Sequence, residues 1–195
     1  MYIPRLIESN ERECDEMLEE ILNYNKGFVE NRREQGLDKQ ISSHAQKGVM
    51  IFTCMDTRLV GLVEDAMGFE RGQVKVLKNA GNTLRRNSED VLRCIALGAL
   101  VMGIEEVFVV GHKDCGMQKL TAEKIRQAMR ERCIDESVIA SVDLEEWAGI
   151  IPDEVENVRE VVRAIKEYKF MPKDVEVHGM LMDPYSGELE VVRAE

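Results

Sequence analysis

The stretch Val49-Met50-Ile51-Phe52-Thr53, running into Cys54-Met55-Asp56-Thr57-Arg58, decides the fold. A short apolar run of this kind suits a strand buried on both faces, the situation of an interior strand in a parallel sheet. Working outward, the chain alternates strand and helix. Val74 to Lys78 reads as a second strand, closed by Asn79-Ala80-Gly81-Asn82, and Glu106 to Val110 as a third, ending at Gly111. Two further strands, near 175–182 and 188–193, flank the turn Asp183-Pro184-Tyr185-Ser186-Gly187. Leu59 to Met67 predicts a short helix ended by Gly68. A longer helix follows the N-cap candidate Ser88, with Glu89 and Asp90 in its first turn, and runs to about Met102. That helix is apolar on most sides and is expected to be largely buried. Residues 118–131 read as a charged helix, followed by an irregular acidic segment that carries Trp147. Pro152 opens one more helix, with Val155, Val158, Val162 and Ile165 on one face. Strands separated by helices predict an α/β fold: a mostly parallel central sheet flanked by helices on both faces.

Upstream, residues 11–35 carry Met17, Leu18, Ile21, Leu22, Tyr24, Phe28 and Val29 in a helical stripe, and a polar stretch separates them from the first strand. We read 1–195 as a single domain in which 1–40 form an N-terminal helical arm, packing on the body or on a second subunit.

Composition narrows the function. The 195 residues hold 26 Lys+Arg against 37 Asp+Glu, a formal net charge of −11. Nucleic acid and anionic membranes require a basic face, so neither is an expected partner. No stretch reaches membrane-spanning length, and the N-terminus lacks the pattern of a signal peptide. Five cysteines, odd in number and widely spaced, do not form a disulfide framework. The expectation is a soluble, cytoplasmic protein whose thiols are available for metal or catalysis.

In such sheets ligands bind beyond the carboxyl ends of the strands. Two strand ends carry unusual residues: Cys54-Met55-Asp56-Thr57-Arg58 and Gly111-His112-Lys113-Asp114-Cys115-Gly116. Cys54, His112 and Cys115 would converge there. Two thiolates and an imidazole are a Zn²⁺ ligand set, and three protein ligands leave one position open. Asp56 could occupy that position or stand beside it, and Arg58 would decide between the two by pairing with the carboxylate. Cys14, Cys94 and Cys133 read as small buried hydrophobes, Met67 and Met117 as packing residues. His44 and His178 read as ordinary surface or hydrogen-bonded residues, Arg85-Arg86 as a solvated loop. Glycine-rich nucleotide-binding loops are absent from the sequence.

The paired motifs, together with Asn79-Ala80-Gly81-Asn82 and Met117, resemble the β-class carbonic anhydrases, and their short bacterial and archaeal branch above all. The resemblance implies a zinc lyase, a carbonate dehydratase, that hydrates CO2 reversibly to bicarbonate and a proton through zinc-bound hydroxide. It assigns Cys54, His112 and Cys115 as metal ligands and Asp56 and Arg58 as the catalytic dyad. It also implies that Asp56 can serve as a fourth ligand, giving a closed state, when its Arg pair breaks. Asn79, Ala80 and Gly81 would line the substrate pocket, Gly81 letting backbone approach the ligand. The resemblance also implies a homodimer held by arm helices, with further assembly left open. One departure is Lys78, where many relatives have Arg. Two other readings keep the same metal: hydrolysis of CS2 or COS, and a non-catalytic zinc protein closed by Asp56.

Overall fold

The computed structural model describes residues 10–85 and 89–193, with side chains from residue 16 onward. Ser88, Arg86 and the Cys14 side chain, singled out above, lie outside the described residues. The chain divides into two compact units, Met1–Ile41 and Ser42–Glu195. The first contains helix α1, Asn10–Glu34, whose last turn carries Arg32 and Arg33, as the helix dipole favours. Its apolar stripe includes Met17, Leu18, Ile21 and Leu22, all exposed.

The second unit is built on a five-stranded sheet. The strands are β1 (Val49–Cys54), β2 (Val74–Asn79), β3 (Glu106–His112), β4 (Glu176–Met182) and β5 (Leu189–Val192), in the order β2-β1-β3-β4-β5. The pairs β1–β2, β1–β3 and β3–β4 are parallel, while β5 returns antiparallel to β4. All six residues of β1 are buried, as its apolar run requires. One face of the sheet, with Met50, Phe52, Val107 and Val109, packs against Ile95 and Ala96 of α3 (Asp90–Val101) and against Val158, Val162 and Ile165 of α7 (Glu154–Glu167). The other face, with Val49, Ile51 and Val110, is covered by Leu59, by Val63 of α2 (Leu62–Ala66) and by Ile151.

Several expectations are corrected. The helix expected from Leu59 is split into a 3-10 turn at Thr57–Leu59 and α2, because Gly61 takes φ +77° between them. The helix expected over 118–131 likewise begins as a 3-10 turn, Gly116–Lys119. It restarts as α4 (Ala122–Glu131) where the Thr121 side chain caps Lys124 N–H. The acidic segment is not irregular: it forms α5 (Glu136–Ile139) and α6 (Leu144–Ala148), the latter capped by Asp143. Both are too short to print a 3.6-residue period. Asp153, not Pro152, starts α7, accepting from Glu156 N–H at 2.8 Å. Finally, α3 is not largely buried. Ile95, Ala96 and Gly98 face the sheet, but Leu97, Leu100 and Val101 are exposed, since one helix face suffices to cover the strands. Cys94 shares that outer side, and Cys133 sits in the turn after α4 at φ +57°, so both thiols are exposed rather than buried.

Candidate metal centre

Parallel register brings the two motifs together. Thr53 pairs with Val110 across β1 and β3, so Cys54 emerges beside the segment that ends in His112. Asp114 then adopts φ +60°, a left-handed conformation that Asp tolerates better than most residues, and the chain turns to present Cys115. The ligand atoms of Cys54, His112 and Cys115 all lie within 4.8 Å of one another, and all three residues are buried.

Each donor is prepared for a cation. The His112 Nδ1 lies 2.9 Å from the Lys113 carbonyl oxygen, to which only an N–H can donate. This fixes the tautomer and leaves the Nε2 lone pair facing the sulfurs, buried and without a hydrogen-bond partner among the described residues. Burial opposes the imidazolium, but the Cys54 sulfur and the Lys113 carbonyl outweigh it and raise the His112 pKa. The Cys115 thiol hydrogen-bonds to Cys54 and, against the cost of burial, lowers the Cys54 pKa. Gly81 N–H, 3.3 Å from Cys54 Sγ, adds to that stabilisation. The anion beside it, together with burial, pushes the Cys115 thiol up. The pair thus resists a second negative charge, and a divalent cation is what would allow both sulfurs to be thiolates.

Asp56 stands at the rim. Its carboxylate caps the 3-10 turn by accepting Arg58 N–H at 2.9 Å, and takes a bidentate fork from Arg58: Nε to Oδ1 at 3.0 Å and Nη2 to Oδ2 at 2.8 Å. The Arg58 side chain, against slight burial, holds the Asp56 carboxyl at about 2, and Oδ2 lies 3.9 Å from His112 Nε2. The donor set fits zinc: two sulfurs and an orphaned imidazole nitrogen converge, with no other acid among the three.

A cleft of about 280 Å³ opens on this cluster, lined by Met55, Asp56, Ala80, Gly81 and Met117 among others. Asn79 is occupied differently: its side chain closes the loop onto Thr83, donating to the carbonyl at 2.8 Å and accepting the N–H at 3.2 Å. Gly81, at φ +79°, has no room for a side chain, since a Cβ there would stand 2.9 Å from Met117 Cγ. Met67 and Met117 pack against the core, as expected. His178 stacks on Phe108 and His44 is exposed.

Four supporting residues escaped sequence reasoning. Asn157 of α7, itself buried, donates to the carbonyls of Gly81 and Asn82 and so holds the loop whose N–H reaches Cys54. Its signal was a polar residue four before Val161 and eight before Ile165, on the buried helical face. Glu154 accepts Cys115 N–H at 3.3 Å. Asp114 and Tyr185 both bind Arg58. Asp114 lies within the motif that carries His112 and Cys115, whereas nothing local marks Tyr185.

A mostly parallel α/β sheet with a buried Cys2His cluster at the carboxyl ends of its parallel strands defines a metalloprotein of the zinc-site class. The comparisons with known proteins sharpen this. The family model for carbonic anhydrase matches residues 49–189. The chain is 33% identical to YtiB of Bacillus subtilis over 181 residues, covering 90% of this chain and 96% of that protein. The solved structure of β-carbonic anhydrase isoform I from Trichomonas vaginalis superposes with a TM-score of 0.84 at 31% identity, over 90% of this chain and 96% of that one. A carbon disulfide hydrolase of Acidithiobacillus thiooxidans is 26% identical over 173 residues, 82% of this chain and 84% of that protein. The chain belongs to the β-carbonic anhydrase family.

Proposed function

We propose that the protein catalyses the reversible hydration of CO2 to bicarbonate and a proton, with zinc held by Cys54, His112 and Cys115. The observation that carries this reading is the buried, cation-ready Cys2His cluster with an Arg-pinned carboxylate beside it, in a member of this family. Bound zinc supplies a Lewis acid that brings the pKa of water at the metal toward about 7. Asp56, kept anionic by Arg58, accepts a hydrogen bond from the attacking water and orients its lone pair toward the carbon of CO2. Ala80, Gly81 and Met117 give the cleft an apolar wall suited to a linear, uncharged molecule. The released proton passes to buffer. Two thiolates already neutralise the metal, which is why an oriented carboxylate matters here.

The expected partner is a second copy of the chain, with the α1 stripe buried in a homodimer. The rest of the reading is a single catalytic domain extended by this arm, in a cytoplasmic setting. Similarity to carbon disulfide hydrolases supports a second substrate reading, CS2 or COS on the same site. Purified, zinc-loaded protein assayed on each gas separates the two, and turnover confined to CS2 or COS would overturn the leading one. Asp56→Asn should retain one zinc per chain while CO2 hydration falls by about 100-fold, as loss of a proton acceptor predicts.

A further inference from the structure

Every donor of the Arg58 guanidinium is used. Nε and Nη2 form the fork on Asp56. Nη2 also donates to the Asp114 carbonyl at 3.0 Å, and Nη1 donates to Asp114 Oδ2 at 3.1 Å and to Tyr185 Oη at 3.0 Å. A guanidinium has five N–H groups, and these bonds employ all of them. Only two reach Asp56. The other three fasten Arg58 to groups outside the donor cluster, on two separate loops. Asp114 sits on the turn between His112 and Cys115, and its carboxylate is braced from the far side by Lys119. Tyr185 comes from the β4–β5 turn, with its ring centroid 5.3 Å from Arg58 Cζ. Asp56 meanwhile has a competing destination, because its Oδ2 is already 3.9 Å from the orphaned His112 Nε2. A carboxylate so close to a cation site stays off it only while its partner stays fixed. The fork alone cannot fix Arg58, since Asp56 and Arg58 are two residues apart on one turn and would move together.

We propose that Asp114 and Tyr185 are positioning residues that anchor Arg58 from outside this turn, so that its fork holds the Asp56 carboxylate away from the metal and a fourth coordination position stays open to exchangeable ligands. This rests on the zinc reading above and adds the residues that set the balance between an open and a closed site.

The test uses full-length protein loaded with Co²⁺ and titrated with azide, read by visible absorption rather than turnover. Azide perturbs the cobalt spectrum only where a position is exchangeable. Wild type is expected to respond. The Asp114→Asn/Tyr185→Phe pair should need at least about tenfold more azide, the order expected when hydrogen bonds to a charged group are lost. Adding Asp56→Asn to that pair should restore the wild-type response, which a merely structural defect would not allow. Tyr185→Phe alone, a deletion of one hydroxyl on an exposed turn, keeps the fold and should shift the titration in the same direction. The proposal is overturned if the double variant titrates like wild type, if Asp56→Asn fails to restore it, or if wild type itself ignores azide. CO2 hydration by the zinc form is measured separately. An azide-responsive protein that does not hydrate CO2 would sink the functional reading and leave the positioning result to be decided by the azide arms.

Discussion

Asn157 carries more consequence than any other residue outside the cluster. Its amide donates to the carbonyls of Gly81 at 3.1 Å and Asn82 at 3.3 Å, and the Gly81 N–H in turn stabilises the Cys54 thiolate. Removing the amide leaves two buried carbonyls without that donor, at a cost of about 1–3 kcal/mol. Asn157→Ala is therefore expected to lower the thermal midpoint. It should also weaken zinc binding by about 10- to 100-fold in chelator competition, the range seen when a group behind a metal ligand is lost. Zinc affinity equal to wild type would show that the loop keeps its shape without this prop. The three ligands themselves were legible in the sequence because their types and their places at strand ends are local facts. Asn157 and Tyr185 were not, since their meaning depends on a helix and a turn brought to the site from 76 and 127 positions away.

Among the elements, the turn between β4 and β5 shows a clear electrostatic signature. Asp183 accepts the backbone N–H of Ser186 at 3.0 Å and of Tyr185 at 2.9 Å, and these bonds hold its carboxyl below the usual range. A depressed folded-state pKa means stability that is present above the unfolded value, near 3.9, and is lost as pH falls through the folded value. The stability difference between wild type and Asp183→Asn should accordingly be constant above about pH 5 and shrink on acidification below about pH 4. Denaturant unfolding across this range checks the sign; a difference that grows in acid would contradict it. Element types are legible where composition is extreme, as in β1, apolar but for Thr53. They were read poorly where a helix is four or five residues long, as in α5 and α6, because side-chain capping by Asp143 and tertiary cover, not periodicity, define the shorter pieces. The outer face of α3 misled for the opposite reason. An all-round apolar helix reads as buried, yet Leu97, Leu100 and Val101 are exposed in the single chain.

At the scale of the molecule, exposed apolar faces on α1 and α3 accompany a net charge of −11. Apolar surface on this scale commonly marks an interaction site, which is consistent with the proposed homodimer. If α1 forms the proposed homodimer interface, wild type should sediment as a dimer and Leu18→Asp combined with Ile21→Asp as a monomer, while the circular dichroism of the sheet is unchanged. A variant that remains dimeric would assign the interface to another surface. No helix among the described residues is long and apolar enough to cross a membrane.

The strand order has a consequence for how the site comes into being during synthesis. Cys54, His112 and Cys115 have all been translated by residue 115, yet the strand that flanks β3 spans Glu176–Met182 and the loop is propped by Asn157 of α7. A nascent chain displays the donors well before the partners that set their geometry exist. Parallel pairing of this kind must close long segments before it is rewarded. The donor cluster therefore acquires its full set of supports only once α7 and β4 have been synthesised and docked.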